Sequence, residues 1–152
     1  MDHFMIDRDH AGYGGIFRDS NAKFVGAFSG KAEVNGAIDV EIRAVIEAIN
    51  IACARSWFPL WIETDSMLLL HYFKYPHTVP WRLRPLWHNC MRRIRQLQVH
   101  VSHIYREGNR VADKLANHGA MNVGAEWWDL LPSFLNAAFG HDYSGFKAYR
   151  FS

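Results

Sequence analysis

The chain has 152 residues and a mass of 17.6 kDa, the size of one domain with a single sizeable core. A content of 49% hydrophobic, 14% aromatic and 21% charged residues excludes disordered, collagenous, coiled-coil and low-complexity classes. Apolar runs such as Met67–Leu70 fall far short of the roughly 18 residues of a membrane span, and a formal charge of +2 is too small to signal a nucleic-acid partner by itself.

In chain order, Tyr13–Arg18 and Lys23–Ser29 are short, aromatic and β-branched, and Asp19-Ser20-Asn21-Ala22 between them has turn chemistry, so the pair reads as a β-hairpin. From Ile38 the apolar positions Ile42, Val45, Ile46, Ile49 and Cys53 recur at helical spacing, which predicts a helix to about Arg55. Pro59 precedes a strand at Leu60–Thr64. Asp65-Ser66 then suits the start of a helix over Ser66–Phe73. A loop with Pro76 and Pro80 leads to a basic helix from about Trp81 to Gln96, followed by an alternating strand at Leu97–Tyr105, a turn at Glu107-Gly108-Asn109 and a helix over Arg110–Gly119. The order ββαβααβα argues for one α/β layer domain with a mixed sheet.

Charge is unevenly placed. Arg82, Arg84, Arg92, Arg93 and Arg95 fall within fourteen residues that hold no acid, which reads either as a solvated helix face or as a phosphate-binding face. Cys53 and Cys90 have no metal-ligand spacing and read as reduced, partly buried thiols. The N-terminus lacks the basic start and long apolar stretch of a secretory signal, so the expected location is intracellular, nucleus and cytoplasm being indistinguishable.

Three carboxylates stand out. Glu41 lies inside the apolar arc of Ile38, Val45 and Ile49, where a buried acid needs a partner or a metal. Asp65 follows an apolar strand, at the edge where open α/β sheets build sites, and Asp113 lies in the first turn of the last helix. Singly they have ordinary readings: a residue at the margin of the core, a helix cap and a helix-start acid. Together they form the oxygen-donor set a hard divalent cation requires.

The segments Tyr13–Asp19, Val40–Ala44, Ile62–Ser66 and Ser102–Ala116 resemble the type 1 ribonuclease H domain in order and spacing. The resemblance is closest to plant ribonuclease H-like proteins related to the terminal domain of non-LTR retroelement polyproteins, including the trailing Trp127-Trp128-Asp129. It covers about residues 11 to 120, so residues 1–120 are expected to form the domain and 121–152 an aromatic tail packed on it. It implies a five-stranded mixed sheet flanked by helices, and hydrolysis of the RNA strand of RNA–DNA hybrids with two Mg²⁺ (or Mn²⁺) ions. By position, Glu41, Asp65 and Asp113 match three of the family's four metal ligands, and His103 its mobile histidine, a proton carrier or product-release group. Arg82, Arg84, Arg92, Arg93, Arg95 and Asn109 are the expected nucleic-acid contacts, with Trp81 and Trp87 tracking the hybrid backbone. The expected state is a monomer.

The family's first aspartate ends a central strand that this chain does not plainly carry. One reading makes Phe4-Met5-Ile6 a shortened strand ending in Asp7, which supplies the fourth carboxylate; the other leaves Asp7 and Asp9 in a solvated terminus. The function classes that follow are a metal-dependent ribonuclease H, a catalytically degenerate nucleic-acid-binding module, and an interaction domain built on the tail aromatics Trp127, Trp128, Phe134, Phe139, Tyr143, Phe146, Tyr149 and Phe151. Core coverage is the commoner role of such aromatics.

Overall fold

β1 (Ala11–Asp19) and β2 (Phe24–Ala32) pair antiparallel, with Tyr13 opposite Gly30 and Gly15 opposite Phe28. The turn between them is tied by Asp19, whose Oδ1 accepts the backbone N–H of Asn21 at 2.8 Å and of Lys23 at 3.0 Å. A computed structural model describes residues 11–32, 37–104, 110–122, 124–141 and 149–151.

α1 (Ala37–Arg55) buries Ile42, Val45, Ala48, Ile49 and Ala52, the apolar stripe that the helical spacing demands. The Trp57 amide, bonded to the Ala52 carbonyl at 2.9 Å, folds the chain back into β3 (Leu60–Thr64). α2 (Met67–Lys74) is capped by Ser66, whose Oγ accepts the Leu69 amide at 3.2 Å. Asp65 is therefore not the cap.

The basic helix α3 spans Arg84–Arg93 and is shorter than the expected Trp81–Gln96. Leu83 N–H bonds the Pro80 carbonyl in a turn, Pro85 occupies the first helical turn where its missing N–H costs nothing, and Ile94 closes the far end. β4 (Val99–His103) follows, then α4 (Arg110–Met121). The tail contributes β5 (Glu126–Trp128), α5 (Asn136–His141) and β6 (Tyr149–Phe151).

The six strands lie in the order β4-β3-β6-β1-β2-β5. β3 and β4 run parallel, the β1/β2 and β2/β5 pairs are antiparallel, and β6 is parallel to β1 but antiparallel to β3. The fold class is α/β, a mixed sheet flanked by helices. Among the described residues the sheet has six strands, the four read along the sequence and two three-residue strands from the aromatic segment, with β6 between β1 and β3. The shortened strand considered at Phe4–Ile6, the turn at 107–109, Tyr143 and Phe146 lie outside the described residues.

α4 lies close on the β1–β2 hairpin because glycines leave room for it. A Cβ on Gly12 would run into the Ala116 carbonyl, one on Gly14 into Leu115, and one on Gly119 into the backbone of Gly30. Ile16, Phe17, Ile62, Trp87, Val111 and Leu115 are fully buried in the core, each stabilising by roughly 1.5–3 kcal/mol relative to exposure. Trp87 thus departs from the expected contact with nucleic acid: it packs edge-on against Phe73 at 4.9 Å, deep in the core. Trp127, Trp128 and Phe139 pack against the same core, and Phe134 stacks on His118 at 5.0 Å.

Candidate functional site

The short 56–59 connection sets the end of α1 beside the start of β3. Glu41 stands in the second turn of α1, the helix that this connection joins to β3. The parallel β3–β4 register puts Thr64 opposite His103, and the Ile104 amide donates to the Thr64 carbonyl at 2.9 Å. Asp65, the next residue after β3, and His103, the last of β4, therefore end neighbouring strands at one edge of the sheet.

Burial differs among these groups. Glu41 is 6% exposed, although nothing but its place in an apolar arc announced it in the sequence. Asp65 is half-buried and its Oδ2 is shut off from solvent, whereas His103 is exposed. Glu63 on β3 is also buried, which a simple alternating-strand reading misses. Asp113 lies in the first turn of α4, where only the backbone is described, and Asp7 and Asn109 lie outside the described residues.

Glu41 and Asp65 are hard oxygen donors of the kind a divalent cation takes, the first nearly buried on α1 and the second half-buried after β3. Among the described residues no three His, Cys, Asp or Glu side chains form a metal-holding group by themselves.

The five arginines separate into different roles. Arg84 donates from Nε and Nη2 to the Val79 carbonyl at 3.1 and 3.0 Å, clipping the loop to α3. Arg93 Nη1 donates to Asn50 Oδ1 and ties α3 to α1. Arg92 and Arg95, with His88 and Asn89, line an open groove of about 640 Å³ against Pro76 and Pro85. Arg82 is exposed beside Trp81, which is 76% exposed. Sequence spacing could not separate the clipping arginines from the groove arginines, since both kinds lie in one basic run.

The two cysteines lie on packed helices, Cys53 on α1 and Cys90 on α3, and both are free. Burial pushes the Cys90 thiol up to about 12, with Arg93 pulling it down and Cys53 adding to the rise. Among the described residues no helix is long and apolar enough to cross a membrane.

A family model described as reverse transcriptase-like matches residues 3–119. A curated Arabidopsis thaliana protein, provisionally named a ribonuclease H protein, is 27% identical over 140 residues. The match covers 89% of this chain and 22% of that protein, so the chain spans about a fifth of the length of its relative. The crystal structure of prototype foamy virus protease–reverse transcriptase aligns with a TM-score of 0.48 at 18% identity, covering 81% of this chain and 22% of the viral one. The chain belongs to the reverse transcriptase-like family, with motifs that resemble its ribonuclease H-like members.

Proposed function

We propose that this chain is a metal-dependent endonuclease that hydrolyses the RNA strand of RNA–DNA hybrids. The observation that carries the reading is the β3–β4 register, which ends neighbouring strands at Asp65 and His103; the buried Glu41 of α1 is the second acid assigned to that edge. Family membership supports a nucleic-acid substrate. Glu41, Asp65 and Asp113, with Asp7 as a fourth ligand, would hold two Mg²⁺ or Mn²⁺ ions. Such a pair supplies Lewis acidity for an attacking water and a departing oxygen.

The chain's own residues supply the rest. His103, exposed at the end of β4, moves a proton between the reacting edge and solvent. The guanidinium groups of Arg92 and Arg95 face the open groove and contact phosphates of the hybrid, whose recognition rests on shape and backbone. Arg82 and Asn109 extend that contact, while Arg84 and Arg93 hold α3 in place for it. The protein acts as a monomer inside the cell.

The test is incubation with end-labelled RNA–DNA hybrid, single-stranded RNA and duplex DNA in Mg²⁺ or Mn²⁺. The reading requires cleavage of the RNA strand of the hybrid alone. Salt-sensitive binding without cleavage would instead make the chain a nucleic-acid-binding module.

A further inference from the structure

A second, separate cavity of about 270 Å³ lies between the later turns of α1 and the β1–β2–β5 side of the sheet. The register sets Tyr13 opposite Gly30, Gly15 opposite Phe28, and Phe28 opposite Trp127, so Tyr13, Phe28 and Trp127 project from one face. Gly26 and Gly30 flank Phe28 on that face. A Cβ on Gly30 would strike the ring and hydroxyl of Tyr13, and one on Gly26 would strike the ring of Trp127. The Gly-x-Phe-x-Gly pattern of β2 therefore seats two aromatic rings over the strand, with the cavity between them and α1.

Ser29 and Glu126 also line this cavity, and Glu126 Oε1 is engaged by His118 Nε2 at 2.7 Å; the other two charged groups, Glu47 and Arg55, both come from α1. Glu47 and Arg55 are eight residues apart on α1, about 12 Å along its axis. The Arg55 guanidinium lies over the Trp127 ring at 4.5 Å from its centroid and over Trp57 at 5.2 Å, contacts that use its face and leave its N–H edge for an anion. Glu47 makes no hydrogen bond or salt bridge to another described residue and lies near Tyr13. Burial first, and then the Glu47 carboxylate, push the Tyr13 hydroxyl above its usual range, against an opposing pull from Arg43. That hydroxyl stays neutral and able to donate.

We propose that this cavity binds a nucleoside monophosphate group whose base carries an exocyclic amino group. The aromatic walls stack the base, Glu47 accepts from the amino group, and Arg55 takes the phosphate. A planar ring with a donor at one end and a dianion at the other matches a slot whose α1 wall carries an acid at one end and a guanidinium at the other. The group can arrive as a free nucleotide or as the phosphorylated end of a strand. The cavity is independent of the Asp65 edge.

Titrating the intact chain with AMP, UMP, adenosine and a 5′-phosphorylated single-stranded oligonucleotide, read by tryptophan fluorescence with Trp127 lining the site and Trp57 beside it, tests the proposal. AMP is expected to give saturable quenching, with adenosine and UMP each at least about tenfold weaker. Glu47→Gln should erase the AMP-over-UMP preference, and Arg55→Gln the AMP-over-adenosine preference. Binding of the oligonucleotide but not of AMP would identify a strand end as the source, still in support. Absence of a saturable signal with both probes would overturn the proposal, as would binding that neither substitution changes. Ile51→Trp, which fills the cavity, should abolish binding with the far-ultraviolet circular dichroism unchanged. Should that variant fail to fold, the two polar substitutions decide alone.

Discussion

Thr64 and His103 are partners across the β3–β4 ladder, and the Ile104 amide closes the end of that ladder on the Thr64 carbonyl at 2.9 Å. This pairing sets Asp65 and His103 at the finishing ends of two parallel strands. A one-residue slip of register would turn alternate side chains of either strand to the other face and separate the two groups. Their proximity thus depends on the buried apolar contacts of β3, where Leu60 and Ile62 are 1% and 0% exposed.

The arginines of the basic run should separate by assay. Arg92→Ala with Arg95→Ala is expected to weaken hybrid binding and to flatten the dependence of log affinity on log salt by about 1–2 units, with little change in Tm. Arg84→Ala, which deletes both bonds to Val79, should instead cost roughly 1–3 kcal/mol of stability and leave the salt slope nearly unchanged. Filter binding across a salt series and thermal melts of each variant check both statements.

Close approach of α4 to the hairpin makes a second expectation. Gly12→Ala places a methyl group against the Ala116 carbonyl and the Ala120 amide, both backbone atoms that cannot rotate away. The expected loss is about 1–3 kcal/mol, read as a fall in the urea midpoint. Gly124→Ala offers a contrast, because its Cβ would meet open space and only the positive φ of 86° opposes it.

Much of the fold is legible in the sequence because its periodicities are local. The hairpin, α1 and β3 follow from alternation and from the 3.6-residue repeat, and the burial of Glu41 follows from its place on the helical wheel. The start of α3 is less legible. Trp81–Leu83 have helical composition, yet Pro80 and Pro85 hold them in a turn, and whether a proline ends a helix or opens one depends on the partner of the preceding carbonyl. Strands as short as β5 and β6 carry no period of their own and exist only because neighbouring strands offer free edges. Trp87 and Trp81 occur in similar proline- and arginine-rich surroundings, but one is fully buried and the other 76% exposed, a difference set by packing on Phe73 and Tyr72. The cavity at Tyr13 and Trp127 depends on cross-strand register, which places each ring over a glycine distant in sequence.

Alkaline pH should destabilise the chain through Cys90. Its thiol rises from an ordinary 9.0 to about 12 in the folded state, so the unfolded chain releases this proton first as pH climbs. The contribution is complete below about pH 9 and is lost between about 9 and 12. Urea midpoints of the native chain should fall more steeply over that window than those of Cys90→Ala. At neutral pH a thiol reagent should label the partly exposed Cys53 first, and Cys90 only on unfolding.

Comparing Asp65→Asn with Cys53→Ser on labelled RNA–DNA hybrid in Mg²⁺ is the most direct test of the functional reading. Asp65→Asn is expected to remove metal-dependent cleavage of the RNA strand while retaining a native melting transition and salt-dependent hybrid binding, and Cys53→Ser to cleave like the native chain. Equal cleavage by the two variants would contradict the assignment of the metal-assisted site to the edge where β3 and β4 end.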